Sequence, residues 1–311
     1  VYLSPRENRS LNESLDGGNF GGIGVYIFQL RDKRVVLQPI EDMPAAHAGM
    51  TIGEVVTRVD ATPIAGLAMD RVEQMIRGEV GTTVRLDTYP FKAPKSHKSY
   101  SIVRRKIQVP TVHAEIKDGY EYIRLADFGT TSADEVKKAL LDGRAHDVRG
   151  YILDLRNNGG GLVDAAVKIS SYFVPSGTIV STISRDGDRV DDDALGTQIS
   201  GLKPLVILVN KYTASASEIT SGALQDYHLA TLVGTTTFGK GVVQSIYQWP
   251  DGGALKITTQ RYVTPMGRDI QHRGIVPDIV VNQNADDPSL IGTARDKQLR
   301  AAEARLAQLA R

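Results

Sequence analysis

The chain has 311 residues, 41% of them hydrophobic, which is ordinary for a globular protein and long for one domain, so two domains are expected. Lys and Arg number 37 against 36 Asp and Glu, a net charge of +1, and composition therefore makes no case for nucleic acid or a strongly charged membrane surface as a partner. Cysteine is absent, which excludes disulfides, cysteine nucleophiles and thiolate metal sites.

The sequence starts without Met, shows no signal-peptide pattern and holds no apolar span of about 18 residues, so a processed or truncated product is expected. From Phe20 to about Ile107 the pattern predicts a compact β-rich unit. "FGGIGVYIF" is a glycine-rich turn followed by alternating apolar residues, and "RVVLQPI", "EVVTRVD" and "TTVRLDTY" read as strands. "AMDRVEQMIRG" interrupts them as a helix, with Met69, Val72, Met75 and Ile76 at helical spacing and Gly78 as its stop. "FKAPKSHKS" reads as a polar hairpin loop before a last strand, "YSIVRRKI".

After "VPTV" strands and helices alternate. "YEYIRLADF" is a strand, and "SADEVKKALLDG" a helix with Ser132 as cap and Glu135 completing a capping box. "VRGYILDLR" and "LKPLVILVN" are buried strands, while "GLVDAAVKISSYF" and "ASEITSGALQDY" are helices. This alternation predicts an α/β core with a largely parallel or mixed sheet and ligands outside the carboxyl ends of its strands. Two segments stand there, "RNNGGG" and "KYTASAS". The acidic stretch Asp191 to Asp193 reads as a solvated loop, since no second carboxylate cluster accompanies it. The tail "ARDKQLRAAEARLAQLA" is an amphipathic helix with Leu299, Leu306 and Leu309 on one side, expected to dock on its own domain.

The chemistry turns on "TASASE". Ser215 or Ser217 could simply cap the helix that starts near Glu218. A nucleophilic role needs a base. "TLVGTTTFGKG" supplies one, because Lys240 sits on a glycine-flanked turn directly after an apolar strand. The same segment matches a phosphate-binding loop from Gly234 to Lys240, but Gly241 stands where a hydroxyl should hold magnesium and the following residues are β-like. Histidine offers no triad: His228 is near the serines in sequence, yet lies roughly 16 Å away at the end of a helix about 11 residues long. No metal-ligand spacing such as H-E-x-x-H occurs. Lysine's ordinary pKa near 10.4 leaves about one amine in a thousand free at neutral pH, so burial must bring it down to about 7, at roughly 4 kcal/mol against the charged form. An amide orients such an amine without stabilising its charge, and Gln244 qualifies if Gly239 and Gly241 bend the chain. Oxyanion donors are available at Gly160, Gly161 and Ala216, the last at a helix start.

Taken together, "YLSP", "FGGIGV", "PAAHAGM", "GEVVTRVD", "MIRGEVGTTVRL", "ILDLRNNGGG", "TASASE", "FGKGVVQ", "RYVTPMGRDI" and "GIVPDIVV" resemble the carboxyl-terminal processing proteases, or tail-specific proteases, over nearly the whole chain. The resemblance implies an α/β multidomain protein: a β-rich PDZ domain inserted before a serine–lysine protease core of ClpP/crotonase-like fold, with a C-terminal helix. Its divisions would be 1–19, a segment of the core or linker; 20–107, the PDZ domain; 108–285, the core; and 286–311, the helix. In the family the catalytic serine lies 25 positions before the lysine, which selects Ser215 as nucleophile and leaves Ser217 a loop residue. The orienting glutamine falls on Gln244. Gly159 departs from the proline that many members carry in the glycine loop.

The PDZ-like unit is expected to take a peptide as an added strand beside "IGVYIF". Its terminal carboxylate would be held at Gly21, Gly22, Ile23, Gly24 and Val25 and its last side chain in a pocket lined by Val72 and Ile76, while Arg77, ending the helix, is either a solvated helix-end charge or a residue that couples binding to the core. The resemblance implies no cofactor and no metal. It implies protein or peptide substrates with free C-termini, an adaptor or a homo-oligomer as further partners, and an extracytoplasmic, bacterial-periplasm location. A catalytically silent PDZ scaffold that only holds peptide tails is the alternative.

Overall fold

The computed structural model describes residues 1–5, 7–8, 21–30, 32–40, 42–107, 110–283 and 290–309. The chain divides into two compact units, one of Val1–Leu11 with Pro110–Arg311 and the other of Asn12–Val109. Phe20, the expected start of the first domain, and the stretches 9–19 and 284–289 lie outside the described residues.

After a short strand β1 (Tyr2–Leu3), the Asn12–Val109 unit runs β2 (Gly21–Gly22), β3 (Val25–Gln29), β4 (Val35–Pro39), α1 (Pro44–His47), β5 (Glu54–Val59), β6 (Thr62–Pro63), α2 (Met69–Ile76), β7 (Thr83–Pro90), β8 (Lys98–Val103) and β9 (Arg105–Lys106). Strands β3, β4, β5, β7 and β8 pair antiparallel in that spatial order, with β6 on β5. Alternation decides their faces: Val84 and Leu86 on β7 are fully buried while Thr83 and Arg85 are exposed. These residues pack with Ile23, Val35, Leu37, Val56, Val72, Ile76 and Ile102 in the unit's own core. Helix α2 lacks a side-chain cap at its start. Its other end is held by Arg104, which donates to the carbonyls of Ile76 and Met75 at 2.9 Å each.

The other unit continues with β10 (Val112–Lys117), β11 (Tyr120–Leu125), α3 (Ser132–Ala145), β12 (Tyr151–Asp154), α4 (Val163–Ser171), β13 (Thr178–Ser184), β14 (Arg189–Asp193), β15 (Leu205–Val209), α5 (Ala216–Asp226), β16 (Ala230–Gly234), β17 (Val242–Gln248), β18 (Ala254–Val263), β19 (Ile279–Val280) and α6 (Lys297–Leu309). One sheet has the order β10-β11-β12-β15-β16-β19, parallel from β11 onward. A second, antiparallel sheet has the order β1-β18-β13-β14 with β17 also on β18.

The run "LVILV" of β15 is apolar throughout because both of its faces are covered. Leu205, Ile207 and Val209 face α3, α4 and α5 in one cluster, while Val206 and Leu208 join Tyr122, Ile152 and Val233 in another. Leu299, Ala302 and Leu306 of α6 cover that second face, so the helix docks on its own unit as expected, each buried leucine contributing about 1.5–3 kcal/mol. Leu309 departs from the expectation and stays 40% exposed.

Two local expectations are corrected. The cap of α3 is Thr131, one residue before Ser132. Glu135 does not close a capping box with Ser132: its carboxylate accepts from Thr131 Oγ1 at 2.6 Å and reaches the start of β10, accepting from the N–H groups of Thr111 and Val112 at 2.8 and 2.9 Å. Ser132 instead accepts from Gly129 N–H and donates to the Asp127 carbonyl. In the acidic stretch, Asp191 to Asp193 lie on β14 rather than in a loop, with Arg189 beside Asp191 and Thr178 donating to Asp193.

Candidate active site

Strands β12, β15 and β16 are parallel neighbours, so their carboxyl ends lie side by side and the segments 155–162, 210–215 and 235–241 leave the sheet together. Side-chain amides knit the first two. Asn157 and Asn210 bond reciprocally: Asn157 N–H donates to Asn210 Oδ1 at 3.1 Å and Asn210 Nδ2 donates to Asn157 Oδ1 at 2.8 Å. Asn158 Nδ2 donates to the Leu125 carbonyl at 2.8 Å, while its own carbonyl accepts from Ala214 N–H at 3.0 Å. Thr213 Oγ1 donates to the Leu155 carbonyl at 2.8 Å, and the Thr213 carbonyl accepts from Phe238 N–H at 2.9 Å. The second bond ties the third segment to the second.

Ser215 has φ 56° and ψ −117°, immediately before the first residue of α5. A residue with a Cβ pays about 1–3 kcal/mol to stay in such a region, and a turn of this kind between strand and helix projects its side chain outward. Ser215 is accordingly half-buried, whereas Ser217 is fully buried and donates its hydroxyl to the Asn158 carbonyl at 3.1 Å. One serine is presented and the other is used as a tie.

Glu218 escaped sequence reasoning except as a helix residue. Its carboxylate is fully buried and joins both loops of the site. Oε2 accepts from the N–H groups of Ser215 and Lys240, each at 2.9 Å, and Oε1 accepts from Gly239 N–H at 2.7 Å and from the Thr237 hydroxyl. Four donors replace the water that a buried carboxylate loses. The available signal was the S-x-x-E spacing of a capping box, in which the Glu218 carboxylate accepts from the Ser215 N–H and the Ser215 side chain accepts from the Glu218 N–H.

Lys240 is thus brought to Ser215 through main chain. The side chains are not yet assembled: Lys240 and Gln244 are both exposed, and neither makes a side-chain hydrogen bond among the described residues. The burial that a lysine base requires is absent from this conformation. Gly239 takes φ 84° and the β17–β18 pairing has a bulge between Val243 and Gln244, but the chain is not bent so as to hydrogen-bond the Gln244 amide to Lys240 among the described residues.

For an oxyanion, the three expected donors divide. Gly160 N–H already donates to Asn158 Oδ1 at 2.9 Å, so it is committed and not available as expected. Its role is steric: a Cβ at Gly160 would lie 2.8 Å from Ser215 Cβ and 2.9 Å from Ala216 N. Gly161, at φ 146°, gives its neighbours' hydrogen bonds to Phe128 and keeps its own N–H unengaged among the described residues; the Ala216 N–H, at the start of α5, is likewise unengaged.

In the Asn12–Val109 unit, β3 pairs only with β4 among the described strands, leaving one edge open. Gly21 and Gly22 form β2 against β9, Gly24 has φ 70°, and the N–H groups of Ile23 and Gly24 donate to no group among the described residues. Val25 is half-buried. Val72 and Ile76, expected to line an open pocket, are 0% and 2% exposed and belong to the core. Arg77 ends α2, exposed, 4.0 Å from Glu73.

Residues 119–281 match the model of peptidase family S41. The chain is 37% identical over 287 residues to the carboxy-terminal-processing protease of Bartonella bacilliformis, covering 91% of this chain and 66% of that protein. It is 36% identical over 307 residues to the carboxyl-terminal-processing protease of a Picosynechococcus species, covering 96% of this chain and 73% of that protein. Among solved structures, the photosystem II D1 C-terminal processing protease matches with a TM-score of 0.57 and 30% identity over 97% of this chain and 81% of its own. The chain belongs to peptidase family S41, the family of these carboxy-terminal-processing serine proteases, and shares their mixed α/β fold.

Proposed function

We propose that the chain is a serine endopeptidase of the Ser–Lys type that acts on proteins recognised by their C-terminal tails. The observation that carries the reading is Ser215: a strained, presented serine followed directly by the unengaged Ala216 N–H, with the glycine loop packed against its Cβ at Gly160 and the Lys240 backbone held to its own by one carboxylate. Ser215 Oγ attacks the scissile carbonyl carbon as its proton passes to the neutral amine of Lys240. The Gly161 and Ala216 N–H groups take the oxyanion, where each such donor contributes about 2.7–4 kcal/mol to the transition state. Collapse expels the amine product, which takes the proton from Lys240, and water attacks the acyl-enzyme with Lys240 again as base. Gln244 orients Lys240 once the two side chains meet. Because both are exposed and unbonded in the free enzyme, those bonds form on substrate engagement.

The Asn12–Val109 unit is read as a PDZ domain. Its open β3 edge and the unengaged Ile23 and Gly24 N–H groups support capture of an extended tail and its carboxylate.

The test is proteolysis of an unfolded protein together with labelling by a peptidyl phosphonate. Ser215→Ala and Lys240→Ala should each abolish turnover, and the double variant should lose little more, since members of one catalytic unit are not additive. Lys240→Arg should also be inactive because guanidinium stays protonated. Substantial turnover by Lys240→Ala would remove the dyad, and an unlabelled Ser215 would leave only a tail-binding scaffold.

A further inference from the structure

The geometry points to Arg156 and Asp296 as positioning residues for the oxyanion loop, a function that makes the C-terminal helix α6 part of the active-site scaffold. The inference rests on the reading of Ser215 and Gly161 just given.

Arg156 lies two residues past the end of β12, where the chain runs into the glycine loop. The residue is 3% exposed, and its guanidinium lies between two fully buried carboxylates. On one side Asp154 accepts from Nε at 2.9 Å and from Nη2 at 2.6 Å, and also from the Arg156 N–H at 3.0 Å. On the other, Asp296 takes a bidentate pair, Nη1 to Oδ1 and Nη2 to Oδ2, both at 2.8 Å, and Gln298 Oε1 accepts from Nη1 at 3.2 Å. Asp296 is itself fixed at the start of α6, where its carboxylate accepts from Leu299 N–H at 3.1 Å and Gly292 N–H at 2.9 Å. Tyr122 donates to Asp154 at 2.6 Å. One guanidinium thus serves two carboxylates, and the excess negative charge is met by these N–H and O–H donors.

A buried ionic set of this kind adds little net stability over apolar packing, because desolvation offsets attraction; what it fixes is direction. The helix already has Leu299, Ala302 and Leu306 to hold it to the sheet. The direction fixed by Arg156 is that of the chain entering the loop, whose next residue adopts φ 60° and whose Asn158 sets Gly160, Ala214 and Ser217. The S41 match ends at residue 281, so Asp296 and Gln298 act on the site from outside the matched stretch.

The experiment compares the full chain with Asp296→Asn and Gln298→Ala. Active sites are first titrated with the phosphonate, and kcat is expressed per titrated site. Affinity is then measured for a peptide aldehyde, which forms a tetrahedral adduct with the serine, and for the same peptide as a carboxamide. Asp296→Asn is expected to lower kcat per titrated site and aldehyde affinity together, by about tenfold or more, with KM and carboxamide affinity little changed. Gln298→Ala should show the same pattern at about twofold to threefold. A variant that titrates fewer sites, each turning over at the parental rate, would show a purely structural role and overturn the inference. If Asp296→Asn does not fold, Gln298→Ala decides by the same criterion. Parental turnover and labelling that vanish in Ser215→Ala establish the underlying reading, and their absence would overturn both.

Discussion

Ser215 carries its function in its backbone. The mirror-image region it occupies at φ 56°, ψ −117° is open to glycine without strain. Ser215→Gly should therefore raise stability by about 1 kcal/mol, read as the urea midpoint, while labelling and turnover disappear. A lower midpoint would mean the geometry stores no strain. Glu121 gives a second test of a buried group. It is 1% exposed with Oε2 unpartnered, and burial, then Asp142, pushes its carboxyl from the ordinary 4.5 up to about 7, with His146 opposing. Since the folded state holds the proton more tightly than the unfolded chain, this group favours folding below about pH 4.5. That contribution is lost as pH rises toward 7, at no more than about 1.4 kcal/mol per pH unit. Glu121→Gln should flatten the decline between pH 5 and 8 in urea titrations; an unchanged slope would refute the assignment.

At the scale of the element, the glycine loop after β12 contains residues of opposite kinds. Gly159 does not have a positive φ, and a Cβ there would meet nothing within 4 Å. Gly159→Ala should raise stability by about 0.4–1 kcal/mol through the unfolded chain and preserve turnover. Gly161 has φ 146°, and a Cβ would collide with the Phe128 carbonyl and lie 2.7 Å from Asp127 Oδ1. Gly161→Ala is expected to cost both stability and kcat, because the loop must move to admit it. Equal behaviour of the two variants in urea unfolding and peptide hydrolysis would contradict this division. The loop was legible in "RNNGGG" as a place of exposed backbone. Which N–H groups remain free was not, because Asn158 claims the Gly160 donor through a side-chain bond that no spacing reveals.

At the scale of the molecule, the Asn12–Val109 unit has a buried cluster of its own, which is the requirement for independent folding. A fragment of these residues should unfold cooperatively in urea and bind a peptide with a free C-terminus more tightly than its amide. The margin should be about tenfold to hundredfold, the worth of a charge-assisted hydrogen-bond set. Equal affinity, measured by fluorescence anisotropy, would dismiss carboxylate capture at Ile23 and Gly24. In the full chain the same amidation should slow cleavage of long substrates below saturation.

The sequence by itself determined what local pattern can carry: the alternation of strands and helices, the apolar run of a strand covered on both faces, and the two glycine- or serine-rich turns after buried strands. Those are set by side-chain period and backbone freedom, which are properties of neighbours in the chain. The family spacing to Lys240 selected Ser215, but only the tertiary structure decided how it is presented while Ser217 is tied down, because that depends on a backbone torsion imposed by packing. It also decided the use of Glu218, Arg104 and Arg156, whose partners lie 22, 28 and 140 positions away and are fixed by how the sheets and helices close. It placed Val72 and Ile76, expected to line the pocket for a peptide's last side chain, in the unit's own core for the same reason: helical spacing names the buried face, and only packing decides what fills it.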